Sequence, residues 1–195
     1  MSDIARLRAF VTDTAQFLTT EPGEAAILSQ LAPRLEALIQ HDDWLPETCA
    51  VSEGTRYRQY LLYADALDRF SIVSFVWGPG QGTPIHDHRV WGLVGVMRGE
   101  ELSVPYERQP DGSLRAGTPT RLKAGSVATV SPELGDIHAI FNGLPDASSI
   151  SIHVYGANIG RVKRAVYDAT TGAAHEFISG YSNDTVPNLW PDDAV

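Results

Sequence analysis

The sequence predicts a mainly β protein with N-terminal α-helices. Apolar residues at helical spacing are concentrated in the first forty positions. From about Cys49 onward the texture changes to short β-rich runs, and Gly-, Pro- and Asp-containing turn signals separate those runs. Many short strands at this spacing point to an antiparallel barrel or sandwich.

The helical pattern runs through Ile4, Leu7, Phe10 and Val11, then Ala25, Leu28 and Leu31, and past Pro33 through Leu35, Leu38 and Ile39. Asp3 and Glu21 stand near the expected helix starts. Pro33 lacks the N–H that an interior position uses, so it is expected to kink the second helix or begin a new one. The strand candidates are RYRQYLLY, FSIVSFVW, VWGLVGVM, ELSVPYE, SVATVS, HAIFN, SISIHVYG and RAVYD. The chain then divides into a helical segment over 1–45, a β unit over 50–178 and a tail over 179–195, in which Leu189 and Trp190 are the expected anchors. No internal repeat or low-complexity tract is present.

At 195 residues the chain suits one domain with a substantial core. A net charge of −9 disfavours nucleic acid as a partner. Cys49 is the single cysteine, which excludes an intrachain disulfide. The start MSDIARLRAF lacks the basic-then-apolar layout of a signal peptide, so a cytoplasmic protein is expected. Apolar runs such as IVSFVWG fall far short of the roughly 20 residues that cross a bilayer, and no membrane span is expected.

PIHDHRVWG places His86 and His88 two residues apart. On a strand their side chains share one face and Asp87 takes the other. Alone, the pair reads more readily as hydrogen-bonded structural histidines than as a metal site. Its surroundings add Gly80 before it, Gly99 after it and, about fifty residues on, GSVATVSPELGDIHAIFN, where Gly125, Pro132, Gly135, His138 and Asn142 recur at orderly intervals. Together the two segments resemble the signature motifs of the cupin superfamily. That resemblance implies a cupin-type jelly-roll barrel with N-terminal α-helices and a metal held by His86, His88 and His138. Two departures stand out: Gly92 or Leu93 occupies the place of the first motif's usual glutamate, and the second motif has one extra residue before Pro132. Three neutral imidazoles leave coordination positions open and preserve the charge of a dication. Such a site suits non-haem Fe(2+) taking a substrate and O2, and favours a soft anionic ligand such as a thiolate. Zinc also satisfies the spacing.

SISIHVYG sets Ser151, His153 and Tyr155 on one strand face and Ile150, Ile152 and Val154 on the other. With WGPGQGTPIHDH and GDIHAIFN, this strand makes the chain similar to the thiol dioxygenases of the cysteine dioxygenase family over most of its length. The resemblance implies Fe(2+)-dependent addition of both atoms of O2 to a small-molecule thiol, with His86, His88 and His138 as ligands and Ser151, His153 and Tyr155 as an outer relay. Where animal members carry a cysteine cross-linked to the tyrosine, this chain has Gly92. Where they carry a carboxylate-binding arginine, it has Gln59, with Arg58 expected on the opposite face. Bacterial relatives acting on 3-mercaptopropionate share the glutamine and place an arginine after the tyrosine strand. Arg164 is that candidate here, with Arg161 and Lys163 as competitors, and Tyr57 and Trp91 as pocket or core residues. The expected activity is 3-mercaptopropionate oxidation. L-cysteine oxidation, a non-catalytic metal-binding cupin sensor and an unmetallated structural barrel are the rivals.

Overall fold

The computed structural model describes residues 4–190; Asp3 and the last five residues of the expected tail lie outside the described residues. Helix α1 spans Ala5–Leu18 and α2 spans Glu24–Ile39. Glu21 does not start α2: it occupies the interhelical turn at φ 50°, and Gly23 in extended conformation precedes the helix. Pro33 does not begin a new helix: α2 runs through it. Pro33 and Ser29, whose carbonyl loses its partner, are exposed, so water can satisfy that carbonyl. On the other side Leu31 and Leu35 are fully buried, and their packing holds the helix together. Ile27, rather than the exposed Ala25, extends this buried stripe.

The helices cover one face of a five-stranded antiparallel sheet ordered β1 (Arg58–Ala64), β2 (Ser71–Trp77), β9 (Ser149–Tyr155), β3 (Gly92–Arg98) and β7 (Val127–Val130). Leu7, Leu31 and Leu35 join Ile72, Leu93, Ile152 and Val154 in one core. The opposite face carries Val73, Phe75, Trp77 and Tyr155, which pack with Ile140 in a second core. All positions of β2 and β9 are therefore buried, which accounts for apolar runs longer than a one-sided strand requires.

The second sheet is built on β4 (Glu100–Arg108). It pairs with β6 (Thr120–Lys123) along one edge, β8 (His138–Asn142) along the other, and β5 (Leu114–Ala116) near its end. His86 bridges His138 on one side and Val166 on the other, so its segment joins β8 to the hairpin of β10 (Arg164–Tyr167) and β11 (Ala174–Phe177). Strands β5, β6 and β11 have no counterpart among the sequence candidates. They bury at most one residue each, and such short edge strands carry little alternation to read.

Beyond Phe177 the chain runs beside β1. Ser182 and Gln59 exchange hydrogen bonds, and Asn183 bonds both the N–H and the C=O of Leu61, so the tail covers an otherwise open sheet edge. Leu189 is buried as expected; Trp190 is not, being 66% exposed with the Arg8 guanidinium over its ring. Among the described residues no helix is long and apolar enough to cross a membrane.

Candidate metal centre

The segment between β2 and β3 is not the regular strand that the HxH spacing suggests: only Gly82 and His86 form bridges, and Arg89 turns the chain at φ 60°. It is held at β8 by Thr83 N–H to Ile140 O at 2.8 Å and by the reciprocal His86–His138 backbone bonds at 2.9 and 3.0 Å. Gly82 permits this approach, since a Cβ there would lie 2.4 Å from Phe141 Cδ1 and 2.7 Å from Ile140 O. Alternation over three residues nevertheless survives, and the His86 and His88 rings converge with His138, with centroids 4.8–4.9 Å apart. One ligand nitrogen from each of the three lies within 4.8 Å of the others.

The backbone and Asp136 decide which nitrogens face inward. His86 Nδ1 lies 3.0 Å from the Pro84 carbonyl, and His88 Nδ1 lies 2.7 Å from Asp136 Oδ1. Both partners only accept, so each Nδ1 carries a hydrogen and Nε2 is the nitrogen left to a metal. His138 Nε2 is buried with no hydrogen-bond partner. Burial, reinforced by His88, pushes the His86 pKa down to about 3. Burial first and the neighbouring imidazoles second hold His138 well below the ordinary range. Three converging imidazole nitrogens, one of them an orphaned buried atom, fit a divalent metal ion. Asp136 serves the triad from behind. Burial alone would raise its carboxyl, but His88 and two backbone N–H groups hold it below the usual carboxylate range.

Ser151, His153 and Tyr155 project from β9 toward the same interior. Ser151 Oγ lies 2.7 Å from His153 Nε2, and His153 Nδ1 lies 2.7 Å from Tyr155 Oη. The Tyr155 ring stacks on His88 at 5.4 Å. Burial raises the phenol pKa, an effect that the Arg164 charge offsets in part. Gly92 stands directly opposite Tyr155 in the β3–β9 ladder. Cys49 lies in the core on the helical side of the sheet, not in the one that contains Tyr155.

A cavity of about 830 Å³ opens onto the triad, and His153, Tyr155, Arg164 and Gln59 are among its walls. Arg164 is 5% exposed; its Nη2 donates to Ser179 Oγ at 2.7 Å, its guanidinium lies over the Phe177 ring, and its Nε has no partner. Lys163 is exposed and paired with Glu176, and Arg161 is also exposed. Gln59 lies opposite Phe75 on the inner face and Arg58 opposite Val76 on the outer one. The Gln59 amide already donates to Gly180 O at 2.6 Å. Tyr57 lines the cavity, whereas Trp91 packs in the helical-side core.

Two carboxylates that sequence reasoning missed hold this arrangement. Asp87, facing away from the triad, accepts from the Ala165 N–H at 2.7 Å and the Tyr167 hydroxyl at 2.8 Å, which ties the histidine segment to the strand bearing Arg164. Asp136 sits two residues before His138, and that acidic neighbour was the available signal. Its pairing with His88 across 48 residues was not visible.

No protein-family model matches the sequence. The chain is similar to an uncharacterised conserved protein with a double-stranded β-helix domain from Klebsiella pneumoniae, at 21% identity over 66% of this chain and 98% of that one, TM-score 0.47. It is also similar to an RmlC-like cupin protein from Desulfovibrio desulfuricans, at 21% identity over 60% and 93%, TM-score 0.43. A cupin superfamily protein from Desulfitobacterium hafniense matches at 15% identity over 60% and 94%, TM-score 0.45.

Proposed function

We propose that this chain is a thiol dioxygenase. In this reading the two sheets are the halves of a cupin-type jelly-roll, His86, His88 and His138 hold Fe(2+), and a small thiol carboxylate is converted with O2 to the sulfinate. The observation that carries the reading is Arg164: a buried guanidinium opening on the same cavity as the His86, His88 and His138 triad, with no carboxylate paired to it among the described residues. A buried cation calls for an anion, and a cation beside a dication site calls for a ligand with two anionic ends. A thiolate for the metal and a carboxylate for Arg164 meet that requirement.

When bound, Fe(2+) supplies a redox-active centre where thiolate and O2 meet. The chain's own residues orient the substrate. Ser179 and Phe177 hold the Arg164 guanidinium, which receives the carboxylate through charge-assisted bonds. Tyr155, kept protonated by burial and supported by His153, offers a hydroxyl to the same carboxylate or to oxygen. Fixing both ends of the thiol against the reacting position contributes through orientation. The cavity has no aspartate or glutamate among its described lining residues, so the ammonium of L-cysteine meets no anionic partner. This favours 3-mercaptopropionate.

The test is O2 uptake by the iron-loaded protein against a panel of small thiols, with sulfinate detection. Stoichiometric uptake is expected, highest in kcat/KM with 3-mercaptopropionate. Metal binding without thiol-dependent O2 uptake would replace this reading with a non-oxidising metal-binding protein.

A further inference from the structure

Glu101 is fully buried on β4, and neither carboxyl oxygen makes a hydrogen bond. The ladder sets it opposite Asn142 of β8 and Leu122 of β6. Across the interior, the polar groups that counter its burial are the Ser151 hydroxyl of β9 and the Trp77 indole N–H of β2. No charged side chain among the described residues offsets that burial, and the titratable groups further along the line are His153 and Tyr155. An acid thus stands at the far end of the Ser151–His153–Tyr155 line, away from the triad, with no charged partner among the described residues.

From this placement we infer that Glu101 is a positioning residue that sets the direction of the hydrogen bonds running through Ser151 and His153 to Tyr155. The inference rests on the proposed role of Tyr155 at the substrate. The donors and acceptors along the line set its direction. Trp77 Nε1–H, which can only donate, lies 3.2 Å from Ser151 Oγ. With Glu101 as a carboxylate turned onto Ser151, the Ser151 hydroxyl donates to it and must accept from His153 Nε2–H. His153 Nδ1 then accepts from the Tyr155 O–H, and the phenol turns its lone pairs to the cavity. With Glu101 as the neutral acid, its O–H donates to Ser151 Oγ and Ser151 donates to His153 Nε2. His153 Nδ1–H then donates to Tyr155, whose own proton is free to point at a substrate oxygen. One proton on Glu101 thus exchanges the tautomer of His153 and converts Tyr155 from acceptor to donor toward the cavity, the turn of the Glu101 carboxyl onto Ser151 being the one heavy-atom movement required.

Burial raises the Glu101 pKa to about 7, so both forms are reached near neutrality. Burial also holds His153 well below its ordinary range, so the imidazole changes tautomer without gaining charge.

The test reads the tautomer of His153 directly, by 15N chemical shifts of both ring nitrogens in 15N-histidine-labelled protein, from the acid to the alkaline side of pH 7. In the wild type the protonated nitrogen should change from Nδ1 at the acid end to Nε2 at the alkaline end. Glu101→Gln and Glu101→Leu should each abolish the change, and Ser151→Ala should abolish it while leaving the carboxyl in place. Should the leucine variant not fold, the near-isosteric glutamine variant decides. A pH-independent tautomer in the wild type, or a change that persists in Glu101→Gln, would overturn the inference. The readout needs neither metal nor turnover, so its failure is distinct from failure of the dioxygenase reading.

Discussion

Asp136 grips His88 twice, accepting from ring Nδ1 at 2.7 Å and from the backbone N–H at 2.8 Å. The carboxylate thereby fixes the ring's tautomer and rotation, and turns Nε2 toward His86 and His138. Partners of this kind raise the basicity of a metal ligand and restrict its motion. Asp136→Ala should weaken metal binding by about 10- to 100-fold while leaving a folded protein. Chelator competition monitored by metal content measures this; unchanged affinity would show that Asp136 is only a loop anchor.

Each of His86→Ala, His88→Ala and His138→Ala removes one of three donors and should abolish metal retention and, with it, any thiol-dependent O2 uptake. Elemental analysis of the purified variants checks the first part. Wild-type metal content in all three would disprove the ligand assignment.

Arg164→Ala removes the buried cation of the cavity. The loss of a charge-assisted, bidentate-capable contact of about 2–4 kcal/mol corresponds to a fall of roughly 30- to 1000-fold in kcat/KM for 3-mercaptopropionate. Gln59→Ala should cost less, because the amide already serves Gly180. Lys163→Ala should be close to wild type, since that side chain is exposed and paired with Glu176. Steady-state kinetics on the three variants separates them.

Gly92 leaves Tyr155 without a sulfur beside it, so peptide mass spectrometry should find Tyr155 unmodified. A Cys49–Tyr155 linkage would contradict the structure, which places the two residues in separate cores. The same site is intolerant of bulk: a Cβ at Gly92 would lie 2.7 Å from Val130 Cγ2 and 2.8 Å from Tyr155 Cδ1. Gly92→Ala should therefore destabilise by about 1–3 kcal/mol in urea denaturation, as overpacking does.

Asp65 accepts from Arg69 Nε at 2.7 Å and Nη2 at 2.9 Å, and Arg69 reaches on to the Ala15 carbonyl of α1. The Arg69 hydrogen bond, against a smaller opposing effect of burial, holds the Asp65 carboxyl below its ordinary value. A depressed carboxyl stabilises the fold above its unfolded pKa of about 3.9, and that contribution is lost as pH falls through the lower folded value. Asp65→Asn should lower Tm at neutral pH, with the gap to wild type closing in strong acid. A gap that is independent of pH would contradict this linkage.

The local chemistry of the metal site was legible because it depends on short-range geometry. Two histidines at i and i+2 share a side even where the backbone departs from a regular strand, and a period of two sends Ser151, His153 and Tyr155 one way and Ile152 and Val154 the other. Helical spacing in the first forty residues likewise identified α1 and α2. Where a residue's fate depended on its neighbours in space, the sequence left it open or silent: Pro33 lies inside α2, among the packed Leu31 and Leu35, rather than beginning a new helix, and the edge strands β5, β6 and β11 bury too little to show a pattern.

The sequence by itself determined the residue types and local directions of the site: His86 with His88, a third histidine at His138, and three polar side chains on one face of β9. Tertiary structure alone decided that Arg164 is buried in the cavity while Arg161 and Lys163 face solvent, that Asp136 supports His88, that Asp87 ties the histidine segment to β10, and that Glu101 lies behind Ser151. The physical reason is that periodicity encodes which way a side chain leaves its own backbone. Its pKa and its partners depend on which other elements are packed in front of it.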